Sequence, residues 1–288
     1  NEVKRVAFHE ITKDAVVKSF KNPRTIDMNL VSAQQARRIL DRIVGYSISP
    51  LLGKNLSAGR VQSVALQMIV IREKEIQNFI PEPYWTIYII VEHTNKQFKM
   101  KMVSINGEKI GQQGLKNKEQ VKKHINALKN RDIVIKSVDK TIKNIRPYPP
   151  FTTSSLQQEA SIKLGFNSSK TMLIAQKLYE GLPLEKKRPV GLITYMRTDS
   201  PSVSKIAQNQ AARFINENFG SQYLPAKPPY YIARLSSAQE AHEAIRPTHI
   251  DIPPEQIKKY LNRDYYAVYK LIWDRFIASQ MTPAKVET

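Results

Sequence analysis

A multidomain α+β protein, with two mainly helical units on either side of a β-rich one, is predicted by three observations. Apolar residues recur three and four apart from residue 11 to about 80 and again beyond residue 151, the period of helices with one buried face. Between these regions, YWTIYIIVEHT and KQFKMKMVSI alternate apolar with polar residues, the period of strands. The stretch RPYPPF, residues 146–151, suits neither a sheet nor a helix interior and marks a boundary. A chain of 288 residues also exceeds the usual single domain, so separate cores are expected, with divisions at 1–83, 84–150 and 151–281.

The elements follow in order. VKRVAFHEI opens the chain as a short strand. Ser32 and Gln35 form a capping box, after which Ala36, Ile39, Leu40, Ile43 and Val44 make one apolar stripe, with Gln34, Arg38, Asp41 and Arg42 on the remaining face and Arg37 at its border. A second helix begins near Ser57, buries Val61, Val64, Ala65, Met68 and Ile69, and ends around Phe79 before Pro81 and Pro83. Three strands are predicted in YWTIYIIVEHT, KQFKMKMVSI and DIVIKSVDKTIKNI, with a Lys-rich helix over about 117–129. The third unit reads as helices in SSLQQEASIKLGF, SKTMLIAQKLYEG with Gly181 as C-cap, SPSVSKIAQNQAARFINENFG and EQIKKYLNRDYYAVYKLIWDRFIASQM. No repeat or low-complexity tract interrupts them.

Composition narrows the function. Lys plus Arg number 45 against 25 Asp plus Glu, a formal net charge of +20, which points to a polyanionic partner and to nucleic acid before membrane. No apolar run approaches the roughly 20 residues that span a bilayer, and NEVKRVAFHE lacks the apolar core of a signal peptide, so a soluble, intracellular protein is expected. The absence of cysteine excludes disulfides, thiolate chemistry and cysteine zinc sites within this chain. His9, His93, His124, His242 and His249 are scattered and form no spaced metal cluster.

Three constellations carry possible chemistry. GLITYMRTDS, residues 191–200, reads as a short strand in which Tyr195 and Arg197 project from one face, and Ser200 caps a helix whose first residue is Pro201. A side chain just ahead of a helix N-terminus meets backbone N–H groups and the positive dipole end, which favour a phosphate. A tyrosine hydroxyl, with an ordinary pKa of about 10, is a weak nucleophile unless developing charge is stabilised nearby, as Arg197 would do. The same spacing equally fits a packed strand tyrosine beside a solvated arginine, one of 13 tyrosines in the chain.

SSAQEAHEAIRPT, residues 236–248, predicts a short helix capped by Ser237 and Glu240 and stopped by Pro247. Its Gln239, His242, Glu243 and Arg246 share one face. It resembles the start of a zinc-protease HExxH motif, but position 246 is arginine, so the second ligand is missing and a zinc site is rejected. A solvated face with a Glu243–Arg246 ion pair is the simpler reading. In NLSAGRVQS, residues 55–63, Gly59 removes a side chain at a helix start where Ser57, Arg60, Gln62 and Ser63 offer donors to phosphate or sugar oxygens. With Arg37, Arg38 and Arg42 it suggests a basic groove, though a helix with an ordinary Ser cap and solvated arginines has the same sequence.

These stretches, together with FHEITKDAV, NLVSAQQARRILDRIVGYSISPLL, LSAGRVQSVALQMIVIREKEI, FTTSSLQQEASIKLGF and ASQMTPA, occur in an order that resembles the bacterial type IA DNA topoisomerases over nearly the whole chain, least in the β unit. The resemblance implies part of a toroidal core: the end of a Toprim strand and a partial helical groove domain over 1–83, a partial β arch over 84–150, a gate over 151–281, and the start of a return into the arch over 282–288. It implies that Tyr195 attacks a phosphodiester of single-stranded DNA, forming a 5′-phosphotyrosine link, so that negatively supercoiled DNA is relaxed without ATP. Arg197 would position the scissile phosphate and His242 would hydrogen-bond near it, with Glu243 and Arg246 beside it. Gln34, Arg37, Arg42, Ser49, Ser57, Ala58, Gly59, Arg60, Val61 and Gln62 match positions the family uses along its single-strand groove.

The family's Mg²⁺ belongs to an acidic Toprim domain, and no Asp-x-Asp cluster appears here, so no metal site is expected in this chain. An internal fragment lacking the Toprim domain and the C-terminal region is therefore expected, a monomer that binds single-stranded DNA without relaxing plasmid. The rival from another class is a non-catalytic single-strand-binding module in which Tyr195 is structural. A tyrosine recombinase is a third reading, but no dispersed set of catalytic arginines and histidines identifies itself.

Overall fold

The structure, a computed structural model, describes residues 3–8, 10–129, 131–184, 189–231 and 243–288. The chain divides into two compact units, one of Asn1–Ile26 with Asp139–Thr288 and one of Asp27–Val138. In the first unit the opening segment forms no strand beyond an isolated bridge between Arg5 and Arg24. It leads into α1 (Lys13–Lys21), whose cap Thr12 accepts from the Ala15 N–H.

The second unit starts with α2 (Met28–Leu52). The helix begins one turn before the expected Ser32, because the Asp27 carboxylate accepts from the Asn29 and Leu30 N–H groups and is the stronger cap. The next helix, α3 (Arg60–Gln77), starts after Ser57, with Gly59 at the N-cap and no side chain capping it. The stripes expected to be buried are open: Ile43 is 60 % exposed, Val61 68 % and Met68 67 %. Periodicity identified the helices, but the described part of this unit contains no layer that covers the stripes. Strands β1 (Tyr88–His93) and β2 (Lys96–Lys101) pair antiparallel with Val91 opposite Phe98, and β3 (Ser104–Ile105) pairs with β4 (Glu108–Lys109). Trp85 bridges to Leu115 just before α4 (Lys118–Leu128), the Lys-rich helix, which Asn117 caps. Of the third predicted strand only β5 (Ile142–Ile145), in the first unit, forms.

The first unit holds the larger core. Thr152 and Ser155 make a reciprocal capping box at the start of α5 (Thr153–Leu164), and Gly165 ends it in the left-handed conformation. Helix α6 (Ser168–Glu180) ends at Gly181, as expected, before the short pair β6 (Leu182–Pro183) and β7 (Pro189–Val190). Helix α7 (Lys205–Asn218) starts four residues after the expected Pro201, because Ser204 and not Ser200 supplies the cap to the Ala207 N–H. The last predicted helix is broken into α8 (Pro254–Ile257), a 3-10 turn at Lys258–Tyr260 and α9 (Arg263–Ser279). The break falls where Asn262 turns its side chain onto the Tyr265 N–H and starts a new helix. Val268, Tyr269, Ile272, Trp273, Phe276 and Ile277 repeat every four residues along α9 and pack it on α5, α6 and α8. Finally β8 (Ala284–Glu287) returns to pair antiparallel with β5.

Candidate functional site

The segment 191–200 runs through the core of the first unit without forming a strand. Among the described residues its β-pairing is the bridge between Ile193 and Pro247; the Leu192 N–H donates to the Leu178 carbonyl of α6 at 2.7 Å, and most of its other polar bonds go to two further segments instead of a ladder. On one side, the N-terminus of α5 holds it: the Thr153 N–H donates to the Thr198 carbonyl at 2.8 Å, and the Thr153 hydroxyl reaches the carbonyls of Met196 at 2.8 Å and Thr198 at 3.0 Å. On the other side, residues 244–248 hold it. The Thr194 N–H donates to the Arg246 carbonyl at 2.9 Å, the Thr194 hydroxyl donates to the Ala244 carbonyl at 2.6 Å, and the same oxygen accepts from the Arg246 N–H at 3.0 Å. Thr248 adds a hydroxyl bond to the Gly191 carbonyl at 2.6 Å.

The expected alternation therefore survives without the strand. Thr194, Met196 and Thr198 are buried while Tyr195 is half-buried and Arg197 exposed. Ser200 accepts from the Ser202 N–H and shapes the turn before α7. Gly191 is required by close approach: a Cβ there would lie 2.8 Å from the Tyr179 carbonyl oxygen. The Tyr195 ring meets the edge of Tyr179 with centroids 5.4 Å apart and planes at 67°. Burial, and then the neighbouring Tyr195, push the Tyr179 hydroxyl above its ordinary pKa. Arg197 has no ion-pair partner among the described residues, which leaves its guanidinium open to an anion.

Residues 243–247 are extended and not the end of a helix, since Ile245 bridges to Phe151 and Pro247 to Ile193. The Glu243–Arg246 ion pair exists, but it is buried and not solvated: Arg246 is 4 % exposed. Its Nε donates to Glu243 at 2.6 Å, Nη1 to the Pro247 carbonyl at 3.0 Å and Nη2 to Glu10 at 3.0 Å. Its fork is thus filled by protein acceptors on all three sides. Gln239 and His242 lie outside the described residues. A cavity of about 510 Å³ adjoins, lined by Glu10, Asp14 and Lys18, by Ser204 at the start of α7, and by Arg246 and His249.

In the second unit the predicted groove residues fall on α2, the following loop and the start of α3. Gln34, Arg37 and Arg42 are exposed on α2. Arg60 forks onto Asp41, Nε to Oδ1 at 2.9 Å and Nη2 to Oδ2 at 3.4 Å, with Arg37 3.9 Å from the same carboxylate. The Arg60 hydrogen bond is the main reason the Asp41 carboxyl sits below its ordinary pKa. The Ser49 hydroxyl accepts from the Ala58 N–H at 3.0 Å and holds the loop against α2. Ser57, Ala58, Gly59, Val61 and Gln62 thus surround a helix start whose first N–H groups have no side-chain cap. Sequence reasoning missed Asp41 as a partner of Arg60 and Ser49 as the loop's fastener. It also missed Glu10, Thr153 and Thr194 as the groups that hold this segment and Arg246 in place.

Among the described residues no group of three His, Cys, Asp or Glu is arranged to hold a metal ion, and no helix is long and apolar enough to cross a membrane. A family profile described as DNA topoisomerase matches residues 25–288. DNA topoisomerase 1 of Rickettsia prowazekii (strain Madrid E) is 49% identical over 283 residues, 96% of this chain and 36% of that protein; DNA topoisomerase 1 of Rickettsia typhi (strain ATCC VR-144 / Wilmington) is 48% identical with the same coverage. The structure of full-length topoisomerase I from Thermotoga maritima superposes with a TM-score of 0.78 at 42% identity, covering 98% of this chain and 44% of that one. The chain thus spans little more than a third of the length of these Rickettsia relatives. By the profile, the identities and the shared fold, the chain belongs to the bacterial type IA DNA topoisomerase family.

Proposed function

We propose that this chain carries the nucleophile and the single-strand groove of a type IA topoisomerase, which relaxes negatively supercoiled DNA without ATP. The Tyr195 Oη attacks the phosphorus of a single-stranded segment. The P–O3′ bond breaks, the O3′ takes up a proton as the tyrosine hydroxyl gives one up, and the product is a 5′-phosphotyrosine with a free 3′-hydroxyl. Attack by that hydroxyl reverses the step and reseals the strand after passage, so bond energy is retained. Arg197 neutralises the phosphate as charge builds on its oxygens. His242 is assigned a hydrogen bond to the same phosphate.

The observation that carries this reading is the asymmetry of residues 194–198. Alternate side chains are locked into the core by threonine hydrogen bonds, while Tyr195 stands half-buried against Tyr179 and Arg197 is exposed. A nucleophile gains most from such a rigid mount, because misplacement of about 1 Å can cost about 10²-fold in rate. Gln34, Arg37, Arg42, Ser49 and residues 57–62 hold the single strand, with phosphate favoured at the uncapped start of α3. We assign residues 1–83 to the groove, 84–150 to the arch, 151–281 to the gate and 282–288 to the return into the arch. The enzyme acts as a monomer in the nucleoid.

The family's Mg²⁺ finds no donor set among the described residues, so no step here runs through it. The 288-residue chain alone binds single-stranded DNA and leaves supercoiled plasmid unrelaxed; relaxation by the purified chain would refute that part. The decisive experiment is Tyr195→Phe in the full-length protein, with a labelled single-stranded oligonucleotide and denaturing gels. Loss of the covalent adduct is expected, and persistence of a 5′-linked adduct would exclude Tyr195.

A further inference from the structure

We propose that Arg246 is a positioning residue for Tyr195, and that Glu10 and Glu243 hold it in place. The proposal rests on Tyr195 being the nucleophile. Arg246 reaches the tyrosine through its own backbone: its carbonyl accepts the Thr194 N–H at 2.9 Å and its N–H donates to the Thr194 hydroxyl at 3.0 Å, one residue before Tyr195. Four of its polar contacts therefore fix two adjoining things at once, the guanidinium against carboxylates and the main chain against Thr194.

The guanidinium end is anchored from two directions. Glu243 lies three residues away on the same segment, and Glu10 comes from 236 residues away, between the opening segment and α1. Glu10 is itself oriented, since the Thr12 hydroxyl donates to its other oxygen at 2.9 Å and Thr12 caps α1. A continuous path of hydrogen bonds thus runs from the α1 cap through Glu10, Arg246 and Thr194 to the peptide carrying Tyr195. The side chains of Arg246, Glu243 and Glu10 are only 5%, 11% and 16% exposed, so water competes little for these bonds. The planar fork matches two carboxylates and a carbonyl in a way a lysine would not, so the geometry and not just the charge is at stake. Ion pairs this buried contribute little to net stability against an apolar replacement, which makes a role in orientation the better account of them.

The test uses the full-length protein with 3-fluorotyrosine at position 195. Three quantities are read: the ¹⁹F resonance, the affinity for a single-stranded oligonucleotide, and the rate of covalent adduct formation. For Arg246→Met we expect a displaced resonance, affinity within about twofold of wild type and adduct formation slower by about 100-fold. Arg246→Lys should recover about a tenth of the wild-type rate, and Glu10→Ala should displace the resonance in the same direction. Tyr269→Phe is the structural control: it removes the buried bond to the Ile252 carbonyl, lowers the melting temperature, and leaves resonance and rate unchanged. Should Arg246→Met not fold, Glu10→Ala carries the test. Wild-type resonance and rate in the folded Arg246 and Glu10 variants would overturn the proposal, as would an equal displacement in Tyr269→Phe. An adduct that survives Tyr195→Phe would defeat the nucleophile assignment instead, while the ¹⁹F displacement would still report on the positioning path.

Discussion

Replacing Thr194 by valine removes one oxygen and almost no volume, yet that oxygen makes two fully buried bonds. The hydroxyl donates to the Ala244 carbonyl at 2.6 Å and accepts from the Arg246 N–H at 3.0 Å, at a side chain with 0 % exposure. In Thr194→Val both backbone groups lose their partner in a site that water does not reach. A buried polar group left unpaired costs about 1–3 kcal/mol, so the pair costs about 2–6 kcal/mol. For a unit of this size each kcal/mol moves the midpoint by roughly 2–4 °C, so thermal unfolding followed by circular dichroism should shift down by about 4–24 °C. Thr194→Ser keeps both bonds and loses one methyl, about 1 kcal/mol, and should melt close to wild type. Coincident melts for wild type and Thr194→Val would refute the account of this threonine as the fastener of the tyrosine segment.

Three further outcomes are expected. Gly191→Ala places a methyl 2.8 Å from the Tyr179 carbonyl oxygen, a backbone atom with little room to move, and should cost about 1–3 kcal/mol in denaturant unfolding; an unchanged midpoint would show that the approach is relieved elsewhere. Burial raises the hydroxyl pKa of Tyr269 above 10.0, and of Tyr179 and Tyr231 in the same direction. The folded state then keeps protons that the unfolded chain releases near pH 10, so stability is complete below that pH and falls as pH rises through the folded-state values. Tyr269→Phe should flatten part of this alkaline limb, and an unchanged slope in pH-dependent urea unfolding would contradict it. Arg42→Ala, at an exposed position of α2, should reduce the salt dependence of single-strand binding by roughly 0.7 in log–log slope, measured by fluorescence anisotropy; an unchanged slope would remove Arg42 from the groove.

Helices were legible wherever a stripe met a clear stop. Gly181 ended α6 as expected, and the Lys-rich helix α4 formed within a residue of its predicted ends. Starts were less legible, because several candidate caps competed. Asp27 prevailed over Ser32 and Ser204 over Ser200, choices that depend on which carboxylate or hydroxyl can swing onto a free N–H. The strand predicted at 191–200 failed for a different reason. Its alternation was real, but the hydrogen bonds went to Thr153 and to residues 244–248, which lie far away in sequence.

Sequence alone determined the family, through the resemblance of its ordered motifs to type IA topoisomerases, and the side of the segment on which Tyr195 and Arg197 stand, because alternation is a property of neighbouring residues. Only the tertiary structure decided that Arg246 faces Glu10 and not solvent, since no periodicity links positions 236 residues apart. It likewise decided that the apolar stripes of α2 and α3 stand open: an amphipathic pattern states that a face is apolar, and burial depends on a second surface being there to cover it.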